Sequence, residues 1–305
     1  MMNLPLHFQE TILTAFGEDG LIWLNQLPQL IKYCRQRWSL TVAPHFSDLS
    51  YNYVAPATRT NGTEVVLKLG VPRLELRTEA AALSYYDGRG SVRLLDAELD
   101  RGILILERLQ PGIMLSTLWP DEDDRATRIA AEIMRQLWQP IPADHTFVTV
   151  EDWYLGFERL RHEFSAGSGP FPPTLVDRAE SLYAHLQESM DTPVLLHGDL
   201  HHYNILSTAD HSWTAIDPKG VVGEAAYDTG ALLRNPAPHF LAQTDLTPRL
   251  KRRIDILSEM LDLDRERLVS WGMSQAVLSA WWSYEDHGAG WEPAIHLAQT
   301  LTELL

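Results

Sequence analysis

Cysteine is nearly absent from this chain: Cys34 is the only one in 305 residues. One thiol cannot close an internal disulfide or build a Cys-based zinc cluster, so the disulfide-scaffold class is excluded and a reducing compartment is expected. Cys34 itself is expected to pack in the core. Long apolar runs are also missing, and none approaches the ~18–20 residues that a membrane helix needs. The first ten residues, Met1 to Glu10, lack the basic stretch and apolar segment of a secretory leader. The expectation is a cytoplasmic protein with no membrane partner. Positive charge is scarce, with 25 Lys and Arg against 41 Asp and Glu, a net charge of −16 and a pI near 5.1. Such a surface repels phosphate backbones, which argues against nucleic acid as a partner, and draws cationic small molecules. Internal repeats and low-complexity tails are lacking as well.

What is present suffices for a core: 45% of residues are hydrophobic and 22% charged. At about 150 residues per domain, the length fits one large or two modest domains. Leu24, Leu27, Ile31, Cys34 and Trp38 alternate in steps of three and four, which predicts an amphipathic helix. Leu49 to Ala55 and Thr63 to Leu69 read as strands joined at Asn61-Gly62, a pair that supplies the positive φ of a tight hairpin turn. A helix is expected between Arg73 and Tyr86, then short strands at Val92 to Leu95 and Gly102 to Leu106. Gln110-Pro111-Gly112 ends this alternation and sets a boundary between residues 1–110 and 111–305. Beyond it the chain reads as helical near 123–138, 151–165, 173–189, 225–234, 247–261, 264–285 and 291–304. The expected fold is α+β and bilobal, a small antiparallel-sheet lobe with one main helix joined to a larger, mainly helical lobe, with a cleft at the junction.

One stretch within the helical part looks different. Two apolar runs, Val194 to Leu196 and Trp213 to Ile216, each end in a polar cluster that holds an aspartate. Paired as a hairpin, they would deliver Asp199, Asn204 and Asp217 to one spot. A carboxylate near a substrate hydroxyl, with an amide oxygen and a second carboxylate for a hard divalent cation, is the equipment of magnesium-dependent phosphoryl transfer. His201 and His202 are consecutive and so lack the i, i+4 spacing of helical zinc sites. Upstream, Lys68 stands in the apolar strand Val65 to Leu69, where a lysine is costly to bury without a partner.

The pattern His197-x-Asp199-x-x-x-x-Asn204 followed by Ile216-Asp217 resembles the protein-kinase-like phosphotransferases, and within them the aminoglycoside phosphotransferases. Asp217-Pro-Lys-Gly220 and Val222 to Asp228 look most like the streptomycin and hydroxyurea phosphotransferase branch. The resemblance runs from about residue 20 to near the end of the sequence. It implies Asp199 as the catalytic aspartate and Asn204 and Asp217 as Mg2+ ligands. It makes Lys68 the lysine on the α- and β-phosphates and Glu79 its ion-pair partner, with Glu75 as a rival. It also implies a hinge at Ile105 to Leu109, where backbone groups of Glu107 and Leu109 meet the purine, and structural support from His197 and Asp228. The implied donor is ATP, with GTP as the alternative. Two departures stand out. His45 to Ser50, where kinases cover the phosphates with a glycine-rich loop, has no glycine, so loop amides near Ser47 or Ser50 would hold phosphate. Pro218-Lys219-Gly220 replaces the kinase Phe-Gly, which argues for a small-molecule kinase.

Acid clusters at Pro120 to Asp124, at Glu151-Asp152 and at Ser283 to His287 are places where a cationic substrate would sit. The first precedes an expected helix, and the helix dipole with solvation accounts for it. The last lies beside Trp281, Trp282 and Trp291, which makes Glu285 and Asp286 candidate substrate residues. The resulting expectation is an ATP- and Mg2+-dependent kinase of an aminoglycoside or hydroxyurea-like hydroxyl, with a cationic or polyhydroxyl substrate. A metabolic kinase of a sugar or amino alcohol and a nucleotide-binding pseudokinase are the competing readings. Monomer and homodimer are equally compatible with the sequence.

Overall fold

The computed structural model describes residues 4–305, so the leader reading at Met1 to Glu10 lies partly outside the described residues. Contacts divide the chain into two compact units, the first ending at Gln110 and the second beginning at Pro111. The first unit opens with α1, Leu6–Arg37, which is broken at Gly17 (φ +53°, ψ −127°). A Cβ at Gly17 would meet nothing within 4 Å, so glycine is required there by conformation and not by space. The helix therefore starts well before Leu24. Its first part was obscured because Gly17-Glu-Asp-Gly20 interrupts the apolar period, although Phe8, Ile12 and Trp23 are buried like Leu27, Ile31 and Cys34. Burial pushes the Cys34 thiol up to about 12, which makes it a packing residue.

Five antiparallel strands follow: β1 (Leu40–Val42), β2 (Tyr53–Arg59), β3 (Glu64–Leu69), β4 (Leu94–Glu98) and β5 (Ile103–Glu107), in the order β1-β2-β3-β5-β4. Gly62 (φ +84°) closes the β2–β3 turn, where its N–H donates to the Arg59 carbonyl at 2.9 Å. The second strand begins at Tyr53 and not at Leu49. The ladder starts with Tyr53 opposite Leu69, and the next residue, Gly70, already bonds Gly102, so residues 49–52 have no partner strand. Pro56 is tolerated inside β2 because its ring faces the end of β1, where its carbonyl accepts the Ala43 N–H at 2.9 Å. The helix α2, Leu74–Tyr86, occupies the predicted segment. Leu27, Cys34, Ala55, Leu67 and Ile105 join α1 and the sheet in one core.

In the second unit the helices lie where periodicity placed them: α3 (Asp123–Leu137), α4 (Val150–Glu163), α5 (Pro173–Glu188), α6 (Thr229–Leu233), α7 (Thr247–Leu261), α8 (Arg265–His287) and α9 (Glu292–Thr302). Buried on most of its circumference, α8 is the axis on which α4, α5, α6, α7 and α9 pack. Tyr183, Tyr227 and Trp271 meet edge to face inside this bundle, 4.9–6.1 Å between centroids. Six short strands complete the unit: β6 (Gln139–Pro140), β7 (Val148–Thr149), β8 (Val194–Leu196), β9 (Ile205–Ser207), β10 (Trp213–Ala215) and β11 (Val221–Gly223). Among the described residues no helix is long and apolar enough to cross a membrane.

The runs at 194–196 and 213–216 do not pair with each other. β10 pairs with β9 in a local hairpin, whereas β8 lies between β6 and β11. The loop 208–212 is short, and its Thr208 N–H bonds the Ser212 carbonyl at 2.9 Å, so the local pairing costs less chain entropy than a distant one. The acidic run at the start of α3 is a solvated helix start at Asp121, Glu122 and Asp124, which are exposed, with one exception. Asp123 is buried and receives two hydrogen bonds from the fully buried Arg253, at 2.6 and 2.9 Å, which tie α3 to α7.

Candidate active site

The loop that carries Asp199 leaves β8 at Leu196 and is shaped by what it cannot accommodate. Gly198 has φ +84°, and a Cβ on it would lie 2.7 Å from Val221 Cγ2. The amides of this turn converge on one side chain, Asp228. Gly198 N–H donates to Oδ1 at 2.7 Å, while His197 N–H and the Trp138 indole donate to Oδ2 at 3.1 Å each. Burial pushes the Asp228 carboxyl up to about 6 in spite of these three donors. His197 is fully buried. Its Nδ1 accepts the Asp199 N–H at 3.2 Å, which places the ring proton on Nε2, where it donates to the Ile216 carbonyl at 2.9 Å. Burial lowers its pKa to about 4, so it stays neutral and holds the loop to the next strand.

Asp199 is half-open and faces cations. Its Oδ1 accepts from Arg234 Nη2 at 3.0 Å, and Oδ2 lies 3.6 Å from His201 Nε2. The Tyr203 N–H donates to His201 Nδ1 at 3.2 Å, so Nε2 carries the ring proton toward Asp199. Burial would raise this carboxyl, but His201, Arg234 and Lys219 outweigh it and hold it far below the usual carboxylate range. Arg234 follows α6 and is steered by Gln275 Oε1 at 3.4 Å. Sequence reasoning missed Arg234. The logic that flags Lys68, a cation next to an apolar run, applies equally to Arg234 after Ala231-Leu-Leu233. His202, by contrast, is fully buried, and neither ring nitrogen finds a hydrogen-bond partner among the described residues. Burial, then Arg253 and His201, lowers its pKa well below the ordinary value, so the two histidines face different surroundings.

Asn204 and Asp217 stand at the open end of the β9–β10 hairpin. The Ile216 N–H bonds the Asn204 carbonyl at 2.9 Å, continuing the register that pairs Ile205 with Ala215, and Asp217 is the next residue. Asn204 Nδ2 donates to the Asp199 carbonyl at 3.0 Å, which leaves its Oδ1 as the outward acceptor. Asp217 adopts φ +61°, and Lys219 Nζ lies 3.6 Å from its Oδ2. Among the described residues no three His, Cys, Asp or Glu side chains gather as a metal cage. The pair of oxygen donors, Asn204 and Asp217, nevertheless suits Mg2+, which is usually held by one or two side-chain oxygens with phosphates and water.

In the first unit, Lys68 on β3 and Glu79 on α2 are both buried and meet at 2.6 Å. Glu75, the rival partner, is exposed in the first turn of α2. Glu107 closes β5 with its N–H already donated to the Arg93 carbonyl at 3.0 Å, so a purine would find its carbonyl and not its amide. Leu109 is half-buried two residues on.

Glu285 and Asp286 lie in the last turns of α8. Glu285 accepts two hydrogen bonds from Arg159 of α4, at 2.7 and 3.1 Å, and lines a groove of about 910 Å3 with Glu158, Trp281 and Tyr284. Asp286 is pushed up by burial and by Glu285, against the pull of His287 and Arg159.

The chain is 32% identical to streptomycin 6-kinase of Streptomyces glaucescens, over 99% of this chain and 97% of that protein. It is 31% identical to hydroxyurea phosphotransferase of Kitasatospora aureofaciens, over 94% of this chain and 82% of the relative. A crystal structure of an aminoglycoside phosphotransferase, a thermostable mutant in ternary complex with ADP and hygromycin B, superposes with a TM-score of 0.62 at 13% identity, covering 88% of this chain and 97% of that one. That likeness shows the protein-kinase-like α+β fold. Residues 37–287 match the pattern of the aminoglycoside/hydroxyurea antibiotic resistance kinases, so the chain belongs to this family and is a phosphotransferase.

Proposed function

We propose that this protein is a cytoplasmic, ATP- and Mg2+-dependent kinase that phosphorylates a hydroxyl of streptomycin or of a hydroxyurea-like acceptor. The observation that carries the reading is Asp199, ionised and half-open, with its backbone carbonyl bonded to Asn204 beside Asp217. Asp199 orients the acceptor hydroxyl and receives its proton as the phosphoryl group moves. Because Arg234 and His201 keep it such a weak base, orientation is the larger part of its work. Asn204 and Asp217 hold the metal, which when bound neutralises charge on the β- and γ-phosphates. Lys68, fixed by Glu79, holds the α- and β-phosphates, and the Glu107 carbonyl with Leu109 meets the purine. Asp228 and His197 keep the loop in shape. Glu285 is neutralised by Arg159, so Asp286 is the acid of the pair left for a cationic acceptor. A net charge of −16 supports such a substrate.

The test is ADP release by the purified protein with ATP or GTP, with and without Mg2+, across streptomycin, hydroxyurea, choline and simple sugars. Mg2+-dependent transfer to streptomycin or hydroxyurea is the expected result. Transfer to choline or a sugar alone would make it a metabolic kinase, and ATP binding without transfer to any acceptor would make it a pseudokinase.

A further inference from the structure

Large aromatic rings in this unit fall into two groups. Trp271 and Trp281 are buried, whereas Trp153 and Trp282 are half-open. Trp153, in the first turns of α4, touches the loop that carries Asp199. A Cβ at Gly198 would lie 3.1 Å from Trp153 Cη2, so nothing separates the indole from the residue before the catalytic aspartate. Trp282 of α8 meets Trp153 edge to face, with centroids 5.8 Å apart and planes at 77°. Tyr227 backs Trp153 at 5.7 Å. Gly156 makes the meeting possible, since a Cβ there would lie 2.9 Å from Leu278 Cδ2 and 3.3 Å from Trp282 Nε1. Asp286, one helical turn beyond Trp282, stands on the same side of α8.

Resting on the acceptor reading above, we propose that Trp153 and Trp282 form the platform that holds a flat cationic group of the acceptor while its hydroxyl faces Asp199. An acceptor cation is not directed to Asp199 itself, whose oxygens already face Arg234 and His201. Two partly open indoles with a carboxylate one turn away suit a guanidinium, which is planar, weakly hydrated and stacks on aromatic faces. Streptomycin carries guanidinium groups and hydroxyurea carries no charge, so the platform separates the two acceptors.

Calorimetric titration of streptomycin and of hydroxyurea into the full chain tests this, using wild type, Trp153→Leu, Trp153→Phe and Trp282→Leu. The expected result is a streptomycin Kd raised about tenfold by each leucine and largely restored by Trp153→Phe, the scale of one cation–π contact. Hydroxyurea affinity shifts by less than about threefold, ADP affinity and the thermal midpoint hold, and the streptomycin KM rises more than kcat falls. Should Trp153→Leu fail to fold, Trp282→Leu and Trp153→Phe carry the test. Streptomycin affinity within twofold of wild type in the leucine variants, an equal loss of ADP affinity, or no binding of streptomycin to wild type overturns the platform. Failure of the kinase reading looks different: streptomycin binds and the variants weaken it, yet no acceptor is phosphorylated.

Discussion

Asp199 and Asp228 contact the same short turn and are treated in opposite ways. Asp228 is buried and accepts three N–H groups, none of them from a cation, and its carboxyl is pushed up to about 6. Asp199 is half-open and faces Arg234 and His201, and its carboxyl is held far down. One side chain type thus serves as scaffold where dipoles surround it and as a permanently charged group where cations do. The difference lies in the spatial neighbours: Asp199 meets the side chains of Arg234 and His201, whereas Asp228 meets two backbone amides and an indole.

The sharpest break in that comparison is Asp199→Asn, which keeps the shape and removes the charge. We expect kcat to fall by roughly 10²–10⁴-fold, with ADP affinity close to wild type and a lowered unfolding midpoint, since the charge that Arg234 and His201 stabilise is gone, read by steady-state kinetics, nucleotide titration and thermal melting. A kcat within threefold of wild type would sink the assignment of Asp199. Next in size is Asp228→Ala, which strands two backbone amides and an indole N–H in a buried space. Its expected cost is about 2–5 kcal/mol of stability by urea unfolding, with activity lost as the loop loosens. A variant as stable as wild type would show that the brace is dispensable.

How much of this was legible beforehand depended on the kind of order. Helices α3 to α9 were placed within a few residues, because apolar period and caps are local properties of the chain. Lys68 and Glu79, 11 positions apart, meet as an ion pair: burial of a lysine demands a carboxylate, but the choice of Glu79 over Glu75 came from the family resemblance and not from the residues themselves. Strands β6, β7 and β11 escaped because two or three residues carry no period, and with them the true partners of β8. Arg253 and Arg234 escaped for a different reason: their carboxylates, Asp123 and Asp199, lie 130 and 35 positions away, and only the packing of helices brings them together. The partial exposure of Trp153 was hidden likewise, because whether an indole is buried is decided by residues distant in the chain, such as Tyr227 and Trp282, and not by its own neighbours.

The smallest effect gives the finest comparison, through pH. Folding raises the Asp228 carboxyl from its ordinary 3.8 to about 6, so between these values the folded chain holds a proton that the unfolded chain has released. Stability from this group is therefore greatest below about pH 4, falls as pH rises to 6 and is flat above. At about 1.4 kcal/mol per tenfold change in proton affinity, the whole fall is on the order of 3 kcal/mol. Asp199 behaves in reverse, since its folded value lies below 3.8 and its stabilisation is complete above that pH and lost only on further acidification. Urea unfolding of wild type, Asp228→Asn and Asp199→Asn from pH 3.5 to 7 separates the two. The gap between wild type and Asp228→Asn should shift in favour of the variant from pH 4 to 6, while the gap to Asp199→Asn stays level across that window. A level gap for Asp228→Asn as well would mean that the three N–H donors, not burial, govern Asp228, and the two aspartates would then differ in partners alone and not in charge.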